Sequence, residues 1–275
     1  MKSFANKTVV VTGAGSGIGR ALALELSHRG ACLALSDVNE GGLERTKALI
    51  LNDHPDAKVH TYVVDVADQA AMKQFANDVT QKFPRVNVLI NNAGVALSAR
   101  LEEVSREDFE WLMNINFWGV VNGCEAFLPL LKASGNGHIA NLSSVFGLMS
   151  LPKQGTYNAS KFAVRGYTEA LRQEMIVSKS PVGVSCVHPG GIATDIARNA
   201  RMDADDVKQD MAATFDKLAH TSPEKAAKVI LKGIQKNKAR VLIGPDAYLI
   251  HFLVRLLGAK YQLITQYLAT KLGYH

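Results

Sequence analysis

Tyr157 and Lys161 stand four residues apart in Tyr157-Asn158-Ala159-Ser160-Lys161. On a helix that spacing puts an acid and a cation on one face, with Cβ atoms roughly 5–6 Å apart. A free phenol titrates near ~10. A unit positive charge about 4 Å away, at an effective dielectric of about 20, is worth about 4 kcal/mol. The expectation is a phenol drawn toward neutral, able to give or take a proton. Tyrosine and lysine also fall four apart on many solvated helices, so the pair acquires meaning only from what the rest of the chain brings to it.

Short β-branched and aliphatic runs alternate with helix-length segments over the first two thirds of the 275 residues. Residues 7–12, 32–36, 58–64, 86–91, 138–142 and 183–188 read as buried strands, and segments such as 18–29 and 69–82 as the helices between them. Strands joined by crossover helices predict an α/β doubly wound fold: a parallel sheet of about seven strands with helices on both faces. A long helix is expected after Ser105, whose Ser-Arg-Glu-Asp run resembles a capping box. Its apolar stripe runs through Phe109, Leu112, Met113, Phe117, Val120, Cys124, Phe127 and Leu131, and Asn116 falls on that stripe. A buried amide needs partners, so Asn116 is either a core asparagine satisfied by nearby backbone or a functional group.

Directly after the first strand comes Thr12-Gly13-Ala14-Gly15-Ser16-Gly17-Ile18-Gly19. Glycines let the backbone turn tightly and approach a ligand, and the exposed N–H groups of the following helix favour a pyrophosphate. The pattern is TGxxxGxG and not the usual GxGxxG, but strand, loop and helix come in the order a dinucleotide site requires. Asp37 closes the second strand, eighteen residues beyond Gly19. A carboxylate there accepts from a ribose 2′-hydroxyl and repels a 2′-phosphate, which favours NAD over NADP; the alternative is a turn aspartate capping the next helix. Neither Ser16 nor Val38 is basic, as NADP preference would want.

Taken together, Tyr157-xxx-Lys161 and the glycine loop make the chain resemble the short-chain dehydrogenase/reductase family from about residue 5 to about 245. Asn91-Asn92-Ala93-Gly94, Asn116, Ser143-Ser144 and Pro189-Gly190-Gly191-Ile192-Ala193-Thr194 follow in the family's order. The resemblance implies the Rossmann form of the doubly wound fold and a catalytic tetrad of Asn116, Ser144, Tyr157 and Lys161. Ser144 is selected over Ser143 because the family's serine lies thirteen residues before the tyrosine. It implies that Ser144 and Tyr157 contact the substrate oxygen, that Lys161 favours the tyrosinate and binds ribose hydroxyls, and that Asn116 holds a water linking Lys161 to solvent. Further cofactor positions carried by the resemblance are Gly13, Ser16, Gly17, Ile18 and Gly19 in the loop. Asp65 and Val66 correspond to the adenine contacts, Asn92, Ala93 and Gly94 to the adenine ribose, and Pro189, Ile192 and Thr194 to the nicotinamide carboxamide. For Asn91 and Gly94, support of a turn is the alternative.

The implied activity is NAD-dependent interconversion of a hydrophobic secondary alcohol and its ketone. The alternatives are an NADP-dependent 3-oxoacyl thioester reductase and a dinucleotide-binding regulator without chemistry. A chain that is 47% hydrophobic and 20% charged fits one large domain, here 1–245, with a substrate lid at about 195–220. Cys32, Cys124 and Cys186 are far apart in apolar runs, which suggests neither a disulfide framework nor a metal cluster. With no targeting signal read at the start, a cytoplasmic setting is expected. The net charge of +6 is scattered along the chain, so nucleic acid is not an expected partner. Residues 246–275 form an apolar and basic helical extension without an acid after Asp246, and Gly258 is its expected break. No charge-free run in it approaches ~18 residues, too few to span a bilayer. It could pack on a partner subunit of a homodimer or homotetramer, cover the pocket, or lie on an anionic membrane; the first two are favoured.

Overall fold

Seven apolar runs pair side by side as parallel strands in the protein, for which a computed structural model describes residues 1–194, 196, 200–202 and 221–271. The strands are β1 (Thr8–Thr12), β2 (Cys32–Asp37), β3 (Val59–Val63), β4 (Val88–Asn91), β6 (Gly137–Leu142), β7 (Val182–Pro189) and β9 (Arg240–Ile243). Their spatial order is β3-β2-β1-β4-β6-β7-β9, all parallel. Two short strands, β5 (Leu97–Ser98) and β8 (Arg201–Met202), pair with each other apart from this sheet. The seventh strand of the expected sheet is β9, at its edge.

Helices connect the strands: α1 (Gly17–His28), α2 (Glu40–Asp53), α3 (Gln69–Lys82), α4 (Arg106–Met113), α5 (Gly119–Ala133), α6 (Gly155–Val177) and α7 (Pro223–Gln235). Side chains alternate along the strands between two buried layers. Val9, Val11, Val88 and Ile90 join Leu22 and Leu26 of α1 and Ile230 and Ile234 of α7 on one face. Val10, Leu89 and Ile139 join Phe75 of α3, Phe127 of α5 and Leu171 of α6 on the other. Strands buried on both faces explain why they read as continuous apolar runs. From β1 the chain winds outward to β2 and β3, then crosses back to β4 on the far side of β1. The switch point therefore lies between β1 and β4, and the crevice beyond their carboxyl ends is where such sheets bind ligands.

The long helix expected after Ser105 is interrupted. Ser105 does cap it, accepting from the Asp108 N–H at 3.0 Å and donating to Asp108 Oδ2 at 2.9 Å. After α4, a π-helical turn, Asn114–Trp118, precedes α5. Such turns are uncommon and concentrate at functional sites; this one carries Asn116. Past β9, the tail forms α8 (Pro245–Leu257) and α9 (Tyr261–Lys271), broken where expected by Gly258 at φ 53°. Of the expected lid at 195–220, residue 196 and residues 200–202 are described, the last two as β8; the rest lies outside the described residues. Among the described residues no helix is long and apolar enough to cross a membrane.

Candidate active site

The glycine loop turns out of β1 at Gly13 (φ 65°) and into α1 at Gly17 (φ 50°), left-handed conformations that glycine adopts without strain. A Cβ on Gly13 would sit 2.8 Å from the Ala93 Cα, and one on Gly19 would collide with the Gly13 carbonyl. Ser16 is the N-cap of α1, exposed and extended, with no side-chain cap bond, so the first-turn N–H groups of Gly17 and Ile18 are presented to an anion. The loop is held from both sides: Gly15 N–H donates to Asp37 Oδ2 at 2.9 Å, and the Arg20 guanidinium donates to the Gly15 carbonyl. Asp37 Oδ1 accepts from Asn39 N–H at 2.9 Å. The helix-capping alternative for Asp37 does not hold, because Asn39 caps α2 by accepting from Gly42 N–H. Two of the carboxylate's roughly four acceptor positions are used within the protein.

The loop after β4 packs directly on the glycine loop. Thr12 Oγ1 accepts from the N–H groups of Asn92 and Ala93, each at 3.0 Å. Asn92 Nδ2 donates to the carbonyls of Thr12 and Gly13 at 2.9 and 3.1 Å. Asn91 points the other way, into the sheet, donating to Asn141 Oδ1 at 2.8 Å, a structural position. At the outer end, Asp65 is exposed and folds back to accept from Ala67 N–H, while Val66 is buried and its carbonyl accepts from Asn122 Nδ2 at 2.9 Å. Asp65 follows β3 and Ser144 follows β6, four strand spacings apart, or roughly 19 Å at ~4.8 Å per spacing. The candidate cofactor residues thus form a track along the carboxyl edge.

At the other end of the track, Tyr157 and Lys161 lie on α6 as the four-residue spacing predicts. Lys161 is buried, its Nζ donating to the Leu142 carbonyl at 3.1 Å and lying 5.5 Å from the Tyr157 ring centroid. Ser144 begins a 3-10 turn, Val145–Gly147, and its Oγ accepts from Phe146 N–H at 3.1 Å. Its side chain also acts on the Tyr157 phenol, favouring the phenolate. Ser143, by contrast, donates to the Lys161 carbonyl at 2.8 Å, which spends its hydroxyl on packing. Gly147 is required at this crossing, since a Cβ there would collide with Ser143 Oγ and press on the Lys161 carbonyl.

The expectation that Lys161 pulls the phenol toward neutral is corrected. Burial is the dominant influence on both groups: it holds Tyr157 up at about 12, opposed by Ser144, and lowers Lys161 to about 8. The spacing argument assumed water-like surroundings and a cation aimed at the phenol oxygen. The ammonium instead faces the ring and the Leu142 carbonyl, and both groups have lost solvent. The protein's own groups thus keep Tyr157 protonated at neutral pH, as a proton donor must be.

Asn116 is fully buried in the π-helical turn. Its Oδ1 accepts from Val95 N–H at 2.8 Å, and its Nδ2 donates to the Val95 carbonyl at 2.9 Å and to Ser160 Oγ at 3.2 Å. Gly94 passes beside it, where a Cβ would lie 3.1 Å from Asn116 Oδ1 and 3.5 Å from Lys161 Nζ. Asn116 therefore joins the loop after β4 to the helix that carries Lys161. Asn116→Ala deprives the Val95 N–H and carbonyl of this partner, and the expected cost is about 1–3 kcal/mol of stability, read from urea denaturation.

Pro189 ends β7, and the chain then crosses to the glycine loop. Ile192 is buried in a bridge with Thr221, and a Cβ on Gly17 would lie 3.2 Å from Thr194 Cγ2. Two residues that the sequence did not single out tie this region down. Asp246, in the first turn of α8, accepts from Gly191 N–H at 2.7 Å and occupies the space a Cβ on Gly190 would need. His188, fully buried, hydrogen-bonds the Ser144 carbonyl through Nδ1 at 2.8 Å. Asp246 had one available signal, as the last acid before a tail with none; His188 had none, being one more residue of an apolar strand. Among the described residues no group of three His, Cys, Asp or Glu side chains could hold a metal ion.

Comparison with known proteins accords with this geometry. The sequence profile described as short chain dehydrogenase matches residues 7–205. SadH of Mycobacterium tuberculosis, an oxidoreductase by name, is 50% identical over 263 residues, 95% of each chain. Levodione reductase of Leifsonia aquatica is 34% identical over 203 residues, 74% of this chain and 75% of that one. A short chain dehydrogenase/reductase from Burkholderia phymatum, solved in complex with NAD, superposes with a TM-score of 0.84 at 31% identity, covering 95% of this chain and 97% of that one. A seven-stranded parallel sheet, a glycine loop at its switch point and a Ser-Tyr-Lys cluster beside it therefore have one account: the chain is an oxidoreductase of the short-chain dehydrogenase/reductase family, which uses a nicotinamide dinucleotide to act on CH–OH groups.

Proposed function

We propose that the protein interconverts a hydrophobic secondary alcohol and its ketone with NAD, using Tyr157 as the general acid or base. The observation that carries this is that Ser144, Tyr157 and Lys161 come together at the end of the glycine-loop track, Ser144 acting on the phenol and the Lys161 ammonium lying 5.5 Å from its ring. A nicotinamide dinucleotide, when bound, supplies the hydride donor or acceptor. In reduction Tyr157 gives its phenolic proton to the substrate oxygen; in oxidation it takes the hydroxyl proton. Ser144 donates to that same oxygen, where negative charge develops, so it stabilises the transition state more than the ground state. Lys161 counters the charge left on the phenolate and has further N–H donors for ribose hydroxyls. Asn116 positions the Gly94-Val95 backbone beside Lys161. The surroundings of Tyr157 favour an apolar substrate: its ring packs with Leu97, Ala99 and Leu112 and meets the Phe146 ring edge-on at 6.0 Å.

The NAD preference rests on Asp37, whose carboxylate is fastened to the Gly15 N–H at the end of β2. Asp37→Ala is expected to lower kcat/KM with NAD by about tenfold, one good hydrogen bond to a charged acceptor, and to raise it with NADP. The experiment that tests the whole proposal is a panel of secondary alcohols assayed with both cofactors. No NADH or NADPH formed with any of them overturns the proposed reaction, and kcat/KM with NADP equal to or above that with NAD overturns the cofactor preference alone.

A further inference from the structure

The tail is apolar on two faces, one turned toward the protein and one toward solvent. Where α8 and α9 meet the rest of the protein, the buried residues are small: Ala247 on α8, and Thr265 and Ala269 one turn apart on α9. Ile250, Leu253, Val254 and Leu257 are half-buried beside them, and a second set of large apolar residues faces outward. Tyr248, Leu249, Phe252 and Leu256 form one stripe of α8, and Leu263 and Tyr267 continue the pattern on α9, all 57–67% exposed. Scattered exposed leucines need no explanation, but a contiguous stripe of aromatic and aliphatic residues does. The charges around it have one sign. Residues 247–275 contain no Asp or Glu, whereas Arg255 and Lys260 are exposed and Lys271 Nζ lies 4.9 Å over the Tyr267 ring.

From this arrangement we propose that α8 and α9 dock the enzyme on an anionic phospholipid surface. Apolar side chains enter the acyl boundary, tyrosines lie at headgroup level, and the flanking cations meet lipid phosphates with their stems along the apolar stripe. A second copy of the chain fits less well. A two-fold interface sets the same patch against itself and would bring Arg255, Lys260 and Lys271 toward their own copies with no tail acid to meet them. Asp246, just before this stretch, is already bonded to Gly191. The tail is also joined to the active-site side of the sheet, because Tyr261 Oη accepts from Ser150 N–H at 3.0 Å in the loop after Ser144. Docking therefore sets that loop next to the bilayer.

The test is co-sedimentation of the full chain with phosphatidylcholine vesicles, with and without phosphatidylglycerol, at low and high salt. The expected result is binding that needs phosphatidylglycerol and weakens with salt. Phe252→Glu with Tyr267→Glu is expected to reduce vesicle binding at least tenfold while keeping the melting temperature and the alcohol dehydrogenase activity. Arg255→Gln with Lys260→Gln and Lys271→Gln is expected to abolish the phosphatidylglycerol dependence; it replaces only exposed residues and so reports even if the glutamate variant misfolds. A full chain that stays in solution with both vesicles overturns the proposal. So does light scattering that shows a dimer made monomeric by the glutamate substitutions with vesicle binding unchanged, which assigns the face to a second copy.

Discussion

Replacing Tyr157 with phenylalanine is expected to lower kcat by at least about 10²-fold in both directions, the low end of what a positioned general acid contributes. The ring keeps its contacts with Leu97, Ala99 and Leu112 and with Phe146, so the fold and the affinity for NAD, measured by fluorescence titration, should change by no more than a few-fold. A loss confined to kcat identifies a group that acts in the transition state. The pH profile of the parent enzyme gives a second readout. Burial holds the phenol at about 12, so alcohol oxidation, which needs the deprotonated form, should rise nearly tenfold per pH unit through the neutral range. Ketone reduction needs the protonated form and should stay flat. Activity of the phenylalanine variant within a few-fold of the parent would reject the role assigned to Tyr157.

Lys161→Met is expected to abolish turnover, by at least about 10²-fold, and yet to stabilise the protein. Burial lowers the ammonium from 10.5 to about 8, which corresponds to about 3 kcal/mol by which the fold disfavours the charge at neutral pH. The sign follows from proton binding. Between about pH 8 and 10.5 the unfolded lysine is protonated and the folded one is not, so the parent's stability from this group rises with pH across that window. The cost is therefore fully present below about pH 8 and gone above 10.5. Methionine carries no charge and nearly the same length, and gives up only the 3.1 Å bond to Leu142, worth about 1 kcal/mol. The net gain expected at pH 7 is about 2 kcal/mol, shrinking toward zero or below by pH 10.5, measured by urea denaturation across that range. A variant less stable than the parent at pH 7 would show that Lys161 stabilises this fold instead of being strained within it for function.

The glycine loop, the position of Asp37 and the shared helix face of Tyr157 and Lys161 were legible from residue type and order because each depends on a local rule, whereas Ser144 and Asn116 were assigned to the tetrad by the family resemblance. A strand-loop-helix order presents N–H groups, an i,i+4 spacing shares a helix face, and Ser105 caps the helix it precedes. The interruption of that helix was not legible. The apolar stripe runs through Phe109, Met113, Phe117 and Val120 at steps of three and four, and one extra residue per turn at 114–118 leaves the steps almost unchanged. What requires the π turn is a tertiary partner, the Val95 backbone that binds the Asn116 amide. The balance of charges was misjudged for a related reason: spacing states how near Lys161 is to Tyr157, but not how much water each has lost.

Local chemistry thus determined by itself the fold class, the glycine loop and the placing of Tyr157 and Lys161 on one helix face, since strand pattern, glycine conformation and helical spacing act over short stretches of chain. The tertiary structure decided what reaches across the chain. It set Asp246 on Gly191 from 55 residues away and His188 on the Ser144 carbonyl from 44. It raised Tyr157 and lowered Lys161 by burying them together, and it left one apolar stripe of α8 and α9, Tyr248, Leu249, Phe252, Leu256, Leu263 and Tyr267, facing outward. Those outcomes depend on which surfaces meet and which water is excluded, and neither quantity is carried by spacing along the chain.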